Sequence, residues 1–179
     1  SALSPLLVLL ANFINKPIEK AINNYYINDA RRILRSSPEL LTIGVTGSYG
    51  KTSVKYILHT LLQAEFDTLK TPESYNTPMG VVKTVRSMLR ATHQIFVCEM
   101  GARHVGDIKE LVDIAEPDFG LITNVGMAHL QGFGSLEGVV QTKGELYDFL
   151  RTRPQATIFL HNDNEYLTSI ARGLKQVRY

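Results

Sequence analysis

The most constraining feature of this sequence is the segment TGSYGKT at residues 46–52, which follows an apolar run and precedes a helix-like pattern. A bound triphosphate needs backbone N–H donors that it can approach closely, and the glycines at positions 47 and 50 permit that approach. Lys51 would add a cation, and the hydroxyl of Thr52 is suited to Mg²⁺. We therefore predict an ATP-binding phosphate loop made by Thr46, Gly47, Ser48, Tyr49, Gly50, Lys51, Thr52 and Ser53.

The loop departs from the general pattern G-x-x-x-x-G-K-[ST] at its first glycine, because Val45 stands at that position. Glycines lie instead at positions 44, 47 and 50. The alternative interpretation is a strand–turn–helix junction with chance glycines. The sequence Gly-Lys-Thr at such a junction favours the phosphate loop.

Apolar runs alternate with helical patterns along the rest of the chain. The candidate strands, at 40–46, 95–100, 119–125 and 156–160, are almost continuously apolar, as strands buried on both faces are. Apolar residues at helical spacing occupy 54–62, 81–89 and 108–115. This alternation predicts an α/β fold, a three-layer P-loop NTPase-like domain with a mainly parallel sheet, preceded by a short helical segment.

We expect residues 1–38 to form the helical segment and residues 39–179 the ATP-binding domain. Pro17 suits a first helical turn, so a helix is predicted to begin there and to end at the Ser-Ser-Pro sequence 36–38. The apolar residues 6–10 are either a helix end packed on the core or the tail of a membrane segment upstream of residue 1. The segment also carries basic residues that form either a solvated face or a surface for lipid phosphates: Lys16, Lys20, Arg31, Arg32 and Arg35.

Charge and cysteine content bear on the partners and the compartment. The net charge of +2 gives no indication of a nucleic-acid partner. The single cysteine, Cys98, cannot form an internal disulfide and fits a reducing compartment. No run reaches the ~18–20 apolar residues that span a bilayer. We predict a cytoplasmic protein, with the inner face of the membrane as the alternative location, and expect the chain to be a fragment of a longer one.

Polar side chains at strand ends indicate a metal site. Glu99 follows the apolar run 95–98, where a carboxylate is costly unless it is paired or bound to metal. An enzyme with a phosphate loop needs an acid near this position to hold Mg²⁺, while the alternative is a salt bridge to Arg103 or Lys109. His129 follows another strand at the same predicted sheet edge, which favours a metal ligand over an ordinary surface or core histidine.

Lys143 interrupts the apolar stripe of the helix that follows Gly134. Counting from Leu136, the positions at +3, +4, +11 and +14 are apolar, whereas the position at +7 is Lys143. An inward lysine must snorkel, pair or lose its charge. Near two Mg²⁺ ions it would be repelled unless CO₂ converted it to a carbamate, an anion able to ligate metal. The alternative is a lysine at the edge of the stripe that reaches water.

The motifs together resemble the Mur ligases in their order and spacing, over about residues 40–164. The matching segments are TGSYGKT, YNTPMG from 75, EMGARHVGDI from 99, ITNVGMAHL from 122, TKGELY from 142 and HNDN from 161. The offset glycine of the loop is that family's own variant, so Val45 fits. Within the family, the segments from 99 and 128 most resemble the members that add D-alanyl-D-alanine to a UDP-N-acetylmuramoyl-tripeptide.

The resemblance implies roles for individual residues. Residues 47–52 would cradle the phosphates of ATP. Two Mg²⁺ ions are implied: Thr52 would ligate the first, and Glu99 and His129 would ligate the second, supported by carbamylated Lys143. Thr77 or Asn76 would face the first metal or the substrate. The catalytic residues implied are Lys51, Lys143, His129 and Glu99. Asn162 is implied as an adenine contact and Asn76 as a substrate contact.

The activity implied is ATP-dependent, ADP-forming amide bond formation through an acyl phosphate, in the synthesis of peptidoglycan precursors. The implied partners are a UDP-linked muramoyl peptide and an amino acid or dipeptide amine. One rival is another ligase of the superfamily, folylpolyglutamate-like or cell-wall-amidating. A second is a regulatory module that binds ATP without catalysis, although Glu99, His129 and Lys143 argue against it because a switch needs no second metal.

Overall fold

In the computed structural model, which describes residues 3–126 and 134–178, a parallel β-sheet lies between two layers of helices. The strands are β1 Leu41–Thr46, β2 Thr68–Lys70, β3 Ile95–Glu99, β4 Phe119–Ile122, β5 Thr157–Leu160 and β6 Lys175–Arg178. The helices are α1 Leu3–Arg35, α2 Lys51–Leu62, α3 Pro78–Met88, α4 Asp107–Ala115, α5 Leu136–Arg151 and α6 Glu165–Ile170. The strand order is β2-β3-β1-β4-β5-β6 and every neighbouring pair is parallel, which confirms the predicted fold class.

Alternate residues of the central strands supply two apolar clusters, one on each face of the sheet. Val45 and Val97 pack on one face with Val54 and Leu58 of α2. The larger cluster, on the other face, joins the sheet to α3, α4 and α5. Because the central strands are covered on both faces, their sequences are nearly continuous in apolar residues.

The strand register brings three chain segments to one edge of the sheet. Val45 of β1 lies beside Glu99 of β3, and Thr46 lies beside Ile122 of β4. Strand β1, which leads into the phosphate loop, therefore lies between β3 and β4. The strand order reverses at this point. Open α/β sheets bind their ligands in this crevice, outside the carboxyl ends of the strands.

Three short elements at the sheet margin were missed by the sequence analysis. Strand β2 has three residues, and β6 is an edge strand whose residues are mostly exposed. The helix α6 has six residues. The two strands pair with a neighbouring strand of the sheet, and all three elements are too short for an apolar periodicity to be recognised.

The predicted start of the first helix at Pro17 is wrong. The helix α1 runs from Leu3 to Arg35, with Pro17 in its interior. Proline removes one N–H donor from the helix, but the flanking turns keep their own bonds and the helix continues through it. The predicted end before 36–38 is confirmed. Among the helices that the structure describes, none is both long and apolar enough to cross a bilayer.

The last turns of α1 pack against α3 and α4. Ala30 and Leu34 are buried in the larger cluster. The predicted basic face is only partly solvated, because Arg31 donates to the carbonyl of Asp113 and Arg35 pairs with Glu116 across the interface. Whether residues 1–38 form a unit distinct from 39–179 stays a prediction.

Candidate active site

The segment between β1 and α2 forms a loop whose glycines are required by its geometry. Gly47 has φ 145°, and a Cβ there would lie 2.0 Å from the hydroxyl of Thr123. Gly50 has φ 77°, and a Cβ there would meet nothing within 4 Å, so its surroundings are open. No side chain caps the start of α2 at Gly50, so no capping side chain competes with a ligand for the first N–H groups of the helix.

The residues that follow β4 hold the loop in place. Ser48 donates its N–H to the carbonyl of Asn124 at 3.1 Å, and Tyr49 donates to the Oδ1 of Asn124 at 3.0 Å. The hydroxyl of Thr123 donates to the carbonyl of Tyr49, and Ser48 exchanges hydrogen bonds with Gly126. The predicted strand 119–125 thus ends at residue 122, because the next residues turn to bind the loop.

Gly47→Ala should unfold more easily and should lose nucleotide binding. The added methyl group would collide with Thr123, and alanine would also be strained at this φ, so we expect a loss of about 2–4 kcal/mol in the free energy of unfolding. The matched control is Gly173→Ala, where φ is 79° but a Cβ meets nothing within 4 Å. It should cost only about 1–2 kcal/mol. If urea denaturation gave equal losses of unfolding free energy for Gly47→Ala and Gly173→Ala, the predicted collision with Thr123 would be contradicted.

Glu99 lies beside the phosphate loop and is buried. The hydroxyl of Thr52 donates to its Oε1 at 3.1 Å, and the side-chain amide of Asn76 donates to the same oxygen at 3.1 Å. The backbone N–H of Glu99 donates to the hydroxyl of Thr71. The side-chain oxygens of Thr52 and Glu99, which the resemblance assigned to two different Mg²⁺ ions, are therefore in direct contact.

The salt-bridge partner of Glu99 is neither Arg103 nor Lys109, the two residues considered from the sequence. It is Lys55, whose Nζ lies 2.8 Å from the Oε2 of Glu99. Lys109 instead pairs with Asp113 at 3.1 Å. Lys55 was not among the predicted partners, although the sequence holds one signal: a lysine one helical turn after Lys51, between the apolar residues of α2.

Lys51 is folded back onto the loop that it belongs to. Its Nζ donates to the carbonyl of Gly47 at 2.8 Å and to that of Ser48 at 3.5 Å. Burial lowers the pKa of Lys51 below its ordinary value, while the charge of Glu99 acts in the opposite direction. The ammonium group thus already lies over the loop in which a phosphate would sit.

Lys143 lies on the inward face of α5 and is 2% exposed, so it does not reach water from the edge of the stripe. Its pKa is lowered to about 8, mainly by burial and then by the charge of Lys51, while Asp107 and Glu145 act in the opposite direction. About half of the side chains are then neutral amines at pH 8, and a neutral amine is the form that reacts with CO₂.

The lowered pKa of Lys143 predicts a specific dependence of stability on pH in CO₂-free buffer. Below pH 8 the folded and unfolded chains both hold the proton. Between pH 8 and 10.5 the unfolded chain keeps the proton and the folded chain releases it, so stability rises with pH. Relative to Lys143→Met, the wild type should gain about 3 kcal/mol across this range. Parallel curves from urea denaturation would contradict the assignment.

A cleft of about 400 Å³ opens beside Lys51. Its walls include residues after β2, after β3 and at the start of α4, namely Asn76, Thr77, Pro78, Gly101, Ala102, Arg103, Asp107 and Glu110. The hydroxyl of Thr77 accepts the N–H of Gly80 at 3.3 Å and so caps α3. Asn76 and Thr77, the candidate substrate and metal contacts, thus line the cleft that begins at the phosphate loop.

The remaining predicted site residues differ in how much the structure says about them. Asn162 is exposed just beyond β5, where its Oδ1 accepts from Arg178 at 3.5 Å, and its contact with adenine stays a prediction. Ser53 is exposed in the first turn of α2. His129 lies outside the described residues, so its role as a ligand also stays a prediction.

The donor set of the site fits Mg²⁺. Within residues 3–126 and 134–178, no three His, Cys, Asp or Glu side chains gather into a metal-binding cluster. Mg²⁺ at nucleotide sites is commonly held by one or two protein oxygens together with phosphates and water. Thr52 and Glu99, in contact beside the loop, provide such a pair.

Comparison with known proteins gives one consistent result. The Mur ligase middle domain matches residues 45–179. A UDP-N-acetylmuramoyl-tripeptide–D-alanyl-D-alanine ligase from Synechocystis sp. is 40% identical over 134 residues, 75% of this chain and 29% of that relative. The ligase of the same description from Escherichia coli is 33% identical over 168 residues, 88% of this chain and 36% of that relative.

The similarity to solved structures agrees with the similarity in sequence. The crystal structure of MurF ligase from Thermotoga maritima in complex with ADP matches with a TM-score of 0.81 and 32% identity, covering 87% of this chain and 36% of that one. This chain spans about a third of the length of the relatives it matches.

Proposed function

This chain belongs to the Mur ligase family, and we propose that it is the ATP-binding core of an ADP-forming ligase that makes an amide bond in peptidoglycan precursor synthesis. The relatives named above join D-alanyl-D-alanine to a UDP-N-acetylmuramoyl-tripeptide, according to their descriptions. We propose the same pair of substrates for the protein that contains this chain. We propose that this protein acts in the cytoplasm, where ATP is available.

The observation that carries the proposal is the convergence of three groups at one edge of the sheet. The loop at 47–50 presents the uncapped start of α2, Lys51 lies over that loop, and the Thr52–Glu99 pair adjoins it. The loop and helix start supply N–H donors to phosphate oxygens, and the lysine supplies positive charge. If the loop only connected β1 to α2, the fold would not require a buried carboxylate in contact with Thr52.

In the proposed reaction, the substrate carboxylate attacks the γ-phosphorus of ATP to give an acyl phosphate and ADP. The amine then attacks the acyl carbon and displaces phosphate, which forms the amide. Two anions must approach each other in the first step, so the repulsion between them has to be offset. Lys51 would turn from the carbonyls of Gly47 and Ser48 toward the β- and γ-phosphates, where it offsets charge as it develops.

The Thr52 hydroxyl and the Glu99 carboxylate would hold Mg²⁺ at the phosphates. Bound there, the ion supplies Lewis-acid polarisation of phosphoryl oxygens. Asn76 fixes the Oε1 of Glu99 from the side of the cleft, and Thr77 lies at the start of α3 on the same wall. The cleft beyond these residues would receive the carboxylate substrate.

We propose carbamylation for Lys143. The amine is buried and its lowered pKa leaves a neutral fraction near pH 8 that can attack CO₂. The product is an anion beside Lys51, whose charge would stabilise it. A carbamate at this point would support a second Mg²⁺, together with Glu99 and His129.

A panel of acceptor amines tests the function. Full-length protein is supplied with ATP, Mg²⁺ and either UDP-N-acetylmuramoyl-tripeptide or a folate as the carboxylate substrate, and ADP release is measured with D-alanyl-D-alanine, L-glutamate or ammonia as the amine. The proposal predicts release with D-alanyl-D-alanine. Release with glutamate on a folate substrate, or with ammonia alone, would assign the chain to a different ligase. No release with any amine, despite ATP binding, would favour a regulatory module.

A further inference from the structure

Lys55 and Glu99 form an ion pair that is shielded from water. The side chain of Lys55 is 0% exposed and that of Glu99 is 1% exposed, with 2.8 Å between Nζ and Oε2. Lys55 is the fifth residue of α2, one turn beyond Lys51, and reaches the end of β3. Charged side chains are seldom buried this completely unless they have a defined partner.

A second contact fixes the lysine from the opposite side. The Nζ of Lys55 also donates to the backbone carbonyl of Glu73, in the loop between β2 and α3. Glu73 has φ 40°, a left-handed conformation that non-glycine residues rarely adopt. The same loop carries Asn76, the other donor to Glu99. Lys55 thus ties together α2, β3 and the loop that borders the cleft.

The pair determines which oxygen of Glu99 faces the phosphate loop. With Oε2 directed to Lys55, Oε1 is left to Thr52 and Asn76. We propose that Lys55 is a positioning residue, which holds the Glu99 carboxylate in the orientation that binds the Mg²⁺ of the nucleotide. This inference rests on the proposed function, because it requires that Mg²⁺ bind beside Thr52.

Stability alone does not account for such a pair. A buried ion pair gains little over well-packed apolar side chains of the same volume, because both charges lose their hydration. What the pair provides here is a fixed orientation of the Glu99 carboxylate, with Oε1 directed to Thr52. Partners that orient a metal ligand in this way matter for metal binding, and their loss typically weakens affinity about 10- to 100-fold.

Two effects of removing Lys55 oppose each other. Loss of the ammonium group removes its electrostatic repulsion of Mg²⁺, which favours metal binding. The carboxylate, however, loses the contact that fixes its Oε2 and is free to rotate away from Thr52. We expect the loss of orientation to prevail, as it does when ligand-orienting partners are removed from other metal sites.

The test is calorimetric binding of ADP, with and without Mg²⁺, to full-length wild type, Lys55→Met and Lys70→Met. Lys70 is the matched control, since Lys55 and Lys70 contact the same Tyr56 ring, at 5.2 and 4.9 Å, but only Lys55 meets Glu99. Lys55→Met should bind Mg²⁺·ADP about 10- to 100-fold more weakly. Its affinity for ADP without Mg²⁺ should match that of wild type, and Lys70→Met should match in both conditions.

Equal Mg²⁺·ADP affinity in Lys55→Met and wild type would overturn the inference. So would an equal weakening with and without Mg²⁺, which would mean that Lys55 only supports the fold. If the wild type binds no ADP at all, the proposed function itself fails.

If circular dichroism shows Lys55→Met to be unfolded, Glu99→Gln is compared with Lys55→Met/Glu99→Gln, which leaves no buried unpaired charge. The inference predicts the same Mg²⁺ effect in both, because Lys55 acts through Glu99. A further loss of the Mg²⁺ effect in the double variant would overturn it.

Discussion

Lys51→Ala is expected to slow amide formation by the full-length protein about 100- to 1,000-fold, equivalent to about 3–4 kcal/mol of barrier. In the proposed reaction, the lysine would supply positive charge where the substrate carboxylate meets the γ-phosphate. The structure already places its Nζ 2.8 Å from the carbonyl of Gly47, over the loop. When a nucleotide binds, the side chain would turn from the carbonyls of Gly47 and Ser48 to the adjacent phosphates, so alanine removes a cation that already lies at the loop.

The measurement is ADP release under saturating substrates, with Lys175→Ala as the control. Lys175 is an exposed lysine on the edge strand β6 and should leave turnover unchanged. Wild-type turnover in Lys51→Ala would refute the role of the lysine. An equal loss in both variants would point to a general effect of lowering the charge of the protein.

Lys143→Ala is expected to lose activity by about 100-fold or more, comparable to the loss of one preorganised electrostatic group. If the lysine acts as a carbamate, the missing part is an anionic carboxylate-like group held near Lys51. A small carboxylate such as acetate should then enter the space left by the side chain and restore part of the activity. The expected signature is a rate that rises with acetate concentration in Lys143→Ala.

Lys51→Ala is the control for this rescue, because acetate cannot replace a cation. Incubation of the wild type with ¹³C-labelled bicarbonate should also give a carbamate signal in NMR that is absent from Lys143→Ala. Full activity of Lys143→Ala without any added carboxylate would contradict the proposal. Absence of the NMR signal, together with rescue by neutral molecules of the same size, would show that the side chain only fills space.

The parts of the fold that the sequence predicted are those with a local signal. The central strands are buried on both faces, so runs such as 95–99 are apolar throughout and stand out. The phosphate loop could be predicted because its glycines and Lys51 answer local requirements of backbone conformation and charge. The helical period of α5 placed Lys143 on or beside the apolar stripe, and the structure decides for the inward position because the side chain is buried.

The parts that were missed depend on contacts between distant segments. The partner of Glu99 could not be found from spacing, because Lys55 lies 44 positions earlier and meets it only through the packing of α2 on β3. Likewise, Thr123 and Asn124 became loop-fixing residues because β4 lies beside β1 in the sheet. Pro17 is the opposite case. The preference of proline for the first turn of a helix predicted a helix start there, but α1 continues through Pro17.

The most direct test of the central claim is calorimetric titration of Mg²⁺·ATP into the full-length protein and into Lys51→Ala. The claim is that residues 47–52 hold the triphosphate. It predicts saturable binding of one nucleotide by the wild type and a large loss of affinity in Lys51→Ala, with both proteins equally folded by circular dichroism. Equal affinity in the two proteins, or no binding by the wild type, would contradict it.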